Sequence, residues 1–148
     1  MTIRFSNREI QTMRRQLTIP VANLFFDLFP NLNFAAGVRF SIGAETANVI
    51  LVTVNVDNQF GGAAGGQVAL DFYISSNADG STVGALDTAI AAGTGSIVLG
   101  GTVSLGTLVT NSAGVGILSM TNATALSRYL NIILPSGRIV RSPVITWT

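Results

Sequence analysis

Cysteine, histidine and lysine do not occur in this chain, and its eight positive charges are all arginine. Without Cys or His there is no thiol nucleophile, no imidazole base and no ordinary zinc or copper site. Without Lys there is no Schiff base and no Walker-type phosphate loop. The lack of disulfides fits synthesis in a reducing cytoplasm. Charge is scarce too: 10% of residues are charged, with a formal net charge of +1. A dedicated nucleic-acid binder carries a basic stripe, so no nucleic acid is expected as a partner.

A secretory leader is not expected either. Met1 to Glu9 is polar and Arg14-Arg15 follows, with no apolar core of the kind a signal peptide needs. The longest uncharged stretch, residues 88–127, is broken by Gly93, Gly95, Gly100, Gly101, Gly106, Gly114 and Gly116. A spanning helix needs about twenty predominantly apolar residues. Short buried strands explain this stretch better, and no membrane is expected.

What the chain has in quantity is apolar side chain, 48% of its 148 residues. A chain of this length forms one domain and buries roughly two-thirds of its unfolded surface, enough for a core without staples. So apolar a balance predicts further surface hidden against a partner.

The composition shifts along the chain: all sixteen glycines lie at Gly37 or beyond. Ser6-Asn7-Arg8-Glu9 matches a capping box, with Phe5 and Ile10 placed for a hydrophobic staple. Ile10, Met13 and Leu17 then share one helical face, predicting a short helix over about 7–17 that ends at Thr18-Ile19-Pro20. Arg8, Arg14 and Arg15 project elsewhere, as a solvated face or toward an acidic partner. Residues 21–34 hold four of the eight phenylalanines, Phe25, Phe26, Phe29 and Phe34, and one charge, Asp27. They pack on their own domain or bury their rings on a neighbouring subunit. The expected organisation is an N-terminal arm over 1–40 and a β domain over 41–148. The partner-binding candidates of the arm are Ile10, Met13, Arg14, Arg15, Leu17, Phe25, Phe26, Phe29 and Phe34.

From Asn48 the pattern is β. Val49 to Val56 begins as an apolar run and settles into alternation, with Val54 and Val56 on one side and Thr53 and Asn55 on the other. Gly61 to Gly66 reads as a flexible connection. Further strands are predicted at Val68–Ser75, Ser96–Leu99, Val103–Thr110, Gly116–Thr121, Tyr129–Leu134, Arg138–Arg141 and Val144–Trp147. Ala85–Ala92 reads as a helical turn or a loop. Asn77 to Ser81 and Asn111 to Gly114 are turns. Pro135-Ser136-Gly137 closes a hairpin whose first strand, with Asn131 its one polar interruption, is expected to be buried on both faces. Seven or more short strands with regular turns predict an all-β, antiparallel two-layer sandwich behind a short N-terminal helix and arm. Tyr129 is either a tyrosine corner or a half-buried strand residue.

Catalytic chemistry is thin. No two of Glu9, Asp27, Glu45, Asp57, Asp71, Asp79 and Asp87 are adjacent, and Asp57, Asp79 and Asp87 sit in turn-like settings. There is no Gly-x-Ser-x-Gly elbow, and no Ser-His-Asp triad without His. Asn77 to Ser81 lacks the distal Glu of a calcium loop. Asn122-Ala123-Thr124 is formally a glycosylation sequon, expected to go unused without a leader. No enzyme activity, cofactor or metal is expected.

The segment from about Glu45 to Thr148 resembles the immunoglobulin-like β-sandwich modules of tailed-bacteriophage virion proteins. The likeness rests on Leu51 to Asp57, Asp71 to Gly80, Thr110 to Gly114, Tyr129 to Val140 and Ser142 to Thr146. It implies a capsid decoration (cement) protein that clamps coat subunits with an arm plus a sandwich. The implied partners are the major capsid protein or other virion subunits, and further copies of the chain in a homo-oligomer such as a trimer. It would be made in the host cytoplasm and reside on the capsid surface. Two alternatives stay open: a tail or fibre-base adaptor, and a carbohydrate- or host-surface-binding module using Phe60 or Trp147.

Overall fold

A computed structural model describes residues 35–148. The expected helix over about 7–17 and the arm candidates from Ile10 to Phe34 lie outside the described residues. Among the described residues there is no helix, and ten strands run β1 (Ala35–Ile42), β2 (Val49–Asn58), β3 (Ala69–Ser75), β4 (Ala91–Ala92), β5 (Ile97–Leu99), β6 (Leu105–Val109), β7 (Val115–Thr121), β8 (Leu126–Ile133), β9 (Ile139–Arg141) and β10 (Ile145–Trp147). All pair antiparallel. The fold is an all-β sandwich.

One sheet has the order β1-β2-β7-β4 and the other β10-β8-β3-β6-β5, with β9 also on β8. This matches the ABED and GFC sheets of an immunoglobulin-like sandwich, with β6 and β5 added beyond strand C. One departure is visible: β4, in the D position, precedes β5 and β6 in the chain. Strands β9 and β10 are two halves of a single outer strand, interrupted at Pro143, which has no N–H to give to a ladder.

The core forms because apolar side chains recur at every second position. Ile50, Val52, Val54 and Val56 of β2 and Leu118 and Met120 of β7 face Leu70, Phe72 and Ile74 of β3 and Leu130 and Ile132 of β8. Close approach fixes one residue of β7: a side chain at Gly116 would meet Leu108 Cδ2 at 2.7 Å.

Two turns show local chemistry setting register. At Pro135-Ser136-Gly137, the Gly137 N–H donates to the Leu134 carbonyl at 2.8 Å and Gly137 takes a φ of 83°. Between β1 and β2, Thr46 and Val49 exchange both backbone bonds, at 2.9 and 3.0 Å, around Ala47 and Asn48. Both central residues have positive φ, 50° and 68°, as a type I′ hairpin requires.

Several expectations change. β1 starts at Ala35, so residues 35–40, read as arm, form a strand on β2. The Gly61–Gly66 connection is pinned, with Ala64 fully buried and its N–H donating to the Val56 carbonyl at 2.8 Å. Of the two readings of Ala85–Ala92, the loop holds: it buries Leu86 and Ile90 and ends in β4. β8 is interior to its sheet, but Ile133 is exposed because no element covers that position. Asp57 lies in β2, not a turn, and pairs with Arg39.

Candidate functional site

The two outer faces of the sandwich differ in chemistry. On the four-stranded sheet, Arg39, Ser41, Thr53, Asn55 and Asp57 share the outer side of β1 and β2. Arg39 grips Asp57 through Nε to Oδ2 at 2.8 Å and Nη2 to Oδ1 at 2.7 Å. That bond and the carboxylate charge raise the guanidinium pKa above its usual value. Leu51, 48% exposed, and Val115 and Ile117 of β7 lie on the same side, so this face mixes charged, polar and apolar groups.

The outer face of the six-stranded sheet is largely apolar. Register places Leu99, Thr107, Asp71, Ile133 and Ile139 side by side across five strands. Ile97, Val109 and Ala69 form the next row. Leu99 is 56% exposed, Ile97 52%, Ile139 48% and Ile133 36%. Strand spacing of about 4.8 Å and two rows of side chains make a face of roughly 20 by 13 Å. Asp71 sits at the middle of the longer row and accepts the Thr107 hydroxyl at 2.6 Å. Among the described residues no cation lies within salt-bridge distance of it.

The third row, Leu105, Tyr73, Asn131 and Arg141, is partly roofed by residues 77–82. Arg141 donates from Nε to Asn131 Oδ1 at 2.9 Å, from Nη2 to the Asp79 carbonyl at 2.6 Å, and from Nη1 to the Ala78 carbonyl. Tyr73 donates its hydroxyl to the Gly80 carbonyl at 3.1 Å. Asn131 Nδ2 donates to Ser75 Oγ at 2.9 Å, so the buried polar pair is satisfied. The hydroxyl-to-backbone bond sought at Tyr129 is made here by Tyr73, and Tyr129 is a half-buried strand residue.

Other candidates resolve plainly. Trp147 is 1% exposed and donates Nε1–H to the Asn48 carbonyl at 3.1 Å, so it is no stacking platform for a sugar. Phe60 stays partly exposed. Asn122 is buried, accepts the Asp87 N–H at 3.1 Å and donates to the Thr124 carbonyl at 2.6 Å, so its amide is engaged in a turn and closed to glycosylation. Among the described residues no three acidic, His or Cys side chains gather as a metal site. An open cleft of about 560 Å³ is lined by Ala35, Ala36, Gln59, Pro135, Ser136 and Arg138. Its one charged group, Arg138, donates from Nη2 to the Ala36 carbonyl at 2.6 Å.

The arm residues named from the sequence lie outside the described residues, so the surface that stands out is one the strand alternation did not flag. Its signal was faint: Ile97, Leu99, Ile133 and Ile139 occupy the outward positions of strands whose inward positions are also apolar. No family model matches this chain, and no curated protein matches it.

Proposed function

We propose that this chain is a structural subunit of a tailed-bacteriophage virion, of the capsid-decoration type, that clamps coat subunits and stabilises the head without catalysis. The observation that supports the reading is the uncovered apolar face of the six-stranded sheet, where Leu99, Ile97, Ile139 and Ile133 stand side by side. A contiguous exposed apolar patch on a β-sandwich is what a subunit of a larger assembly presents. Many identical modest contacts over a shell add up through avidity.

The test is the copy number of the chain in large particles sedimented from its native source. Many copies, near one per coat subunit or per local symmetry axis, are expected. A handful per particle moves the assignment to a tail or fibre-base adaptor. Absence from every large particle overturns the virion reading, and a thermal shift on adding glycans would then favour the surface-binding module.

A further inference from the structure

We propose that the outer face of the six-stranded sheet seats a second copy of this chain, which lays its residues 1–34 along the Leu99–Ile139 row and brings an arginine to Asp71. The inference rests on the reading of the chain as a self-assembling structural subunit, though not on the virion as its location.

The row is exposed in the single chain, which leaves it open to another molecule. Any molecule that covers it also strips water from the Asp71 carboxylate, which is costly unless a cation arrives with it. The body offers none. Its four arginines are committed: Arg39 to Asp57, Arg128 to the Ala85 and Ser127 carbonyls, Arg138 to the Ala36 carbonyl and Arg141 to the 77–82 loop. With five carboxylates against those four arginines, residues 35–148 carry a formal charge of −1. Residues 1–34 carry Arg4, Arg8, Arg14 and Arg15 against Glu9 and Asp27, or +2. The charge complement lies there.

Area argues the same way. Two such faces stacked on each other would cover only about 260 Å² per partner, against roughly 800 Å² for a stable interface. That stacking would also bring two Asp71 carboxylates toward each other. Residues 1–34 supply Phe25, Phe26, Phe29 and Phe34, each able to bury about 150–250 Å². The body is joined to them at the start of β1, where Arg138 donates to the Ala36 carbonyl. Thirty-four residues reach up to about 110 Å if extended, ample for a neighbouring copy. Arm on one copy and face on the next is a heterologous contact, which closes into a ring such as a trimer or continues as a filament.

The experiment uses the full chain, with a benzophenone amino acid in place of Leu99, mixed with isotope-labelled unaltered chain. Sedimentation over a concentration series is read alongside mass-spectrometric mapping of the photo-crosslinks. Crosslinks from position 99 to peptides within residues 1–34 of the labelled copy are expected. Asp71→Asn, which keeps an acceptor for Thr107, should weaken self-association about thirtyfold or more, as losing one partner of a buried ion pair does. Ile139→Thr should weaken it as well while the thermal unfolding of the monomer stays nearly unchanged. A chain that stays monomeric at every concentration overturns the proposal. So do crosslinks confined to residues 35–148 of the other copy or to the same chain, and so does an Asp71→Asn chain that associates normally. Particle copy number is a separate readout, so this proposal and the virion reading can fail independently.

Discussion

Trp147 donates its indole N–H to the carbonyl of Asn48, tying the last strand to the turn between the first two. The same carbonyl accepts the Asn122 N–H at 3.0 Å. The ring is buried against the core, so one side chain joins packing to turn geometry. Trp147→Ala should cost about 3–5 kcal/mol, as large aromatic truncations in cores do. Trp147→Phe keeps most of the packing and loses the hydrogen bond, for about 1–2 kcal/mol. Urea unfolding followed by circular dichroism separates the two; equal costs would show that the bond contributes nothing.

Ala47 occupies the left-handed region with a φ of 50°, where a Cβ is penalised. The two donors on the Asn48 carbonyl hold the turn in place despite that strain. Ala47→Gly relieves it but adds freedom to the unfolded chain. A net gain of about 0.5–1 kcal/mol is expected, read as a higher thermal midpoint. A drop in the midpoint would mean that Ala47 is not strained.

Asn131 is fully buried and joins Ser75 to Arg141, which in turn holds residues 77–82 over the sheet. Asn131→Ala leaves buried polar groups unpartnered and should cost about 1–3 kcal/mol. Amide exchange should speed up in residues 77–82 more than in β2, whose bonds do not depend on this network. Uniform acceleration across both would point to global destabilisation alone.

The Asp79 carboxyl is held below the usual carboxylate range, chiefly by the Ser81 backbone N–H at 2.8 Å, then by the Ser81 hydroxyl, with Arg141 adding its charge. A depressed folded pKa means that its contribution is present above the unfolded value of about 3.9 and is lost as pH falls through the folded one. A carbon-detected NMR titration should place Asp79 below an unstructured aspartate, and Asp79→Ala should remove that part of the acid dependence. The site is fully exposed, so the effect is local to the 77–82 loop.

Much of the fold was legible because alternation is a local property. Val54 and Val56 against Thr53 and Asn55 announce β2, and Pro135-Ser136-Gly137 announces the β8–β9 hairpin, whose register, Ile133 to Ile139, comes from the structure. β1 was missed because Gly37 and the shift in composition there read as a junction. Trp147, a candidate exposed aromatic only under the surface-binding alternative, is buried, because what packs on a strand residue is set by distant parts of the chain.

The sequence by itself determined the class of the fold, most of its strands and turns, and the lack of Cys, His and Lys. Side-chain period and turn chemistry act over a few residues, so they can be read in order. Only the tertiary structure decided which apolar residues stay in water. β8 reads as apolar on both faces, yet Asn131 is covered and Ile133 is bare. The difference comes from a loop fixed by residues more than fifty positions away, and from β3, β6, β5 and β9 lining up their outward residues. Burial depends on what lies alongside in space, and long-range pairing sets that.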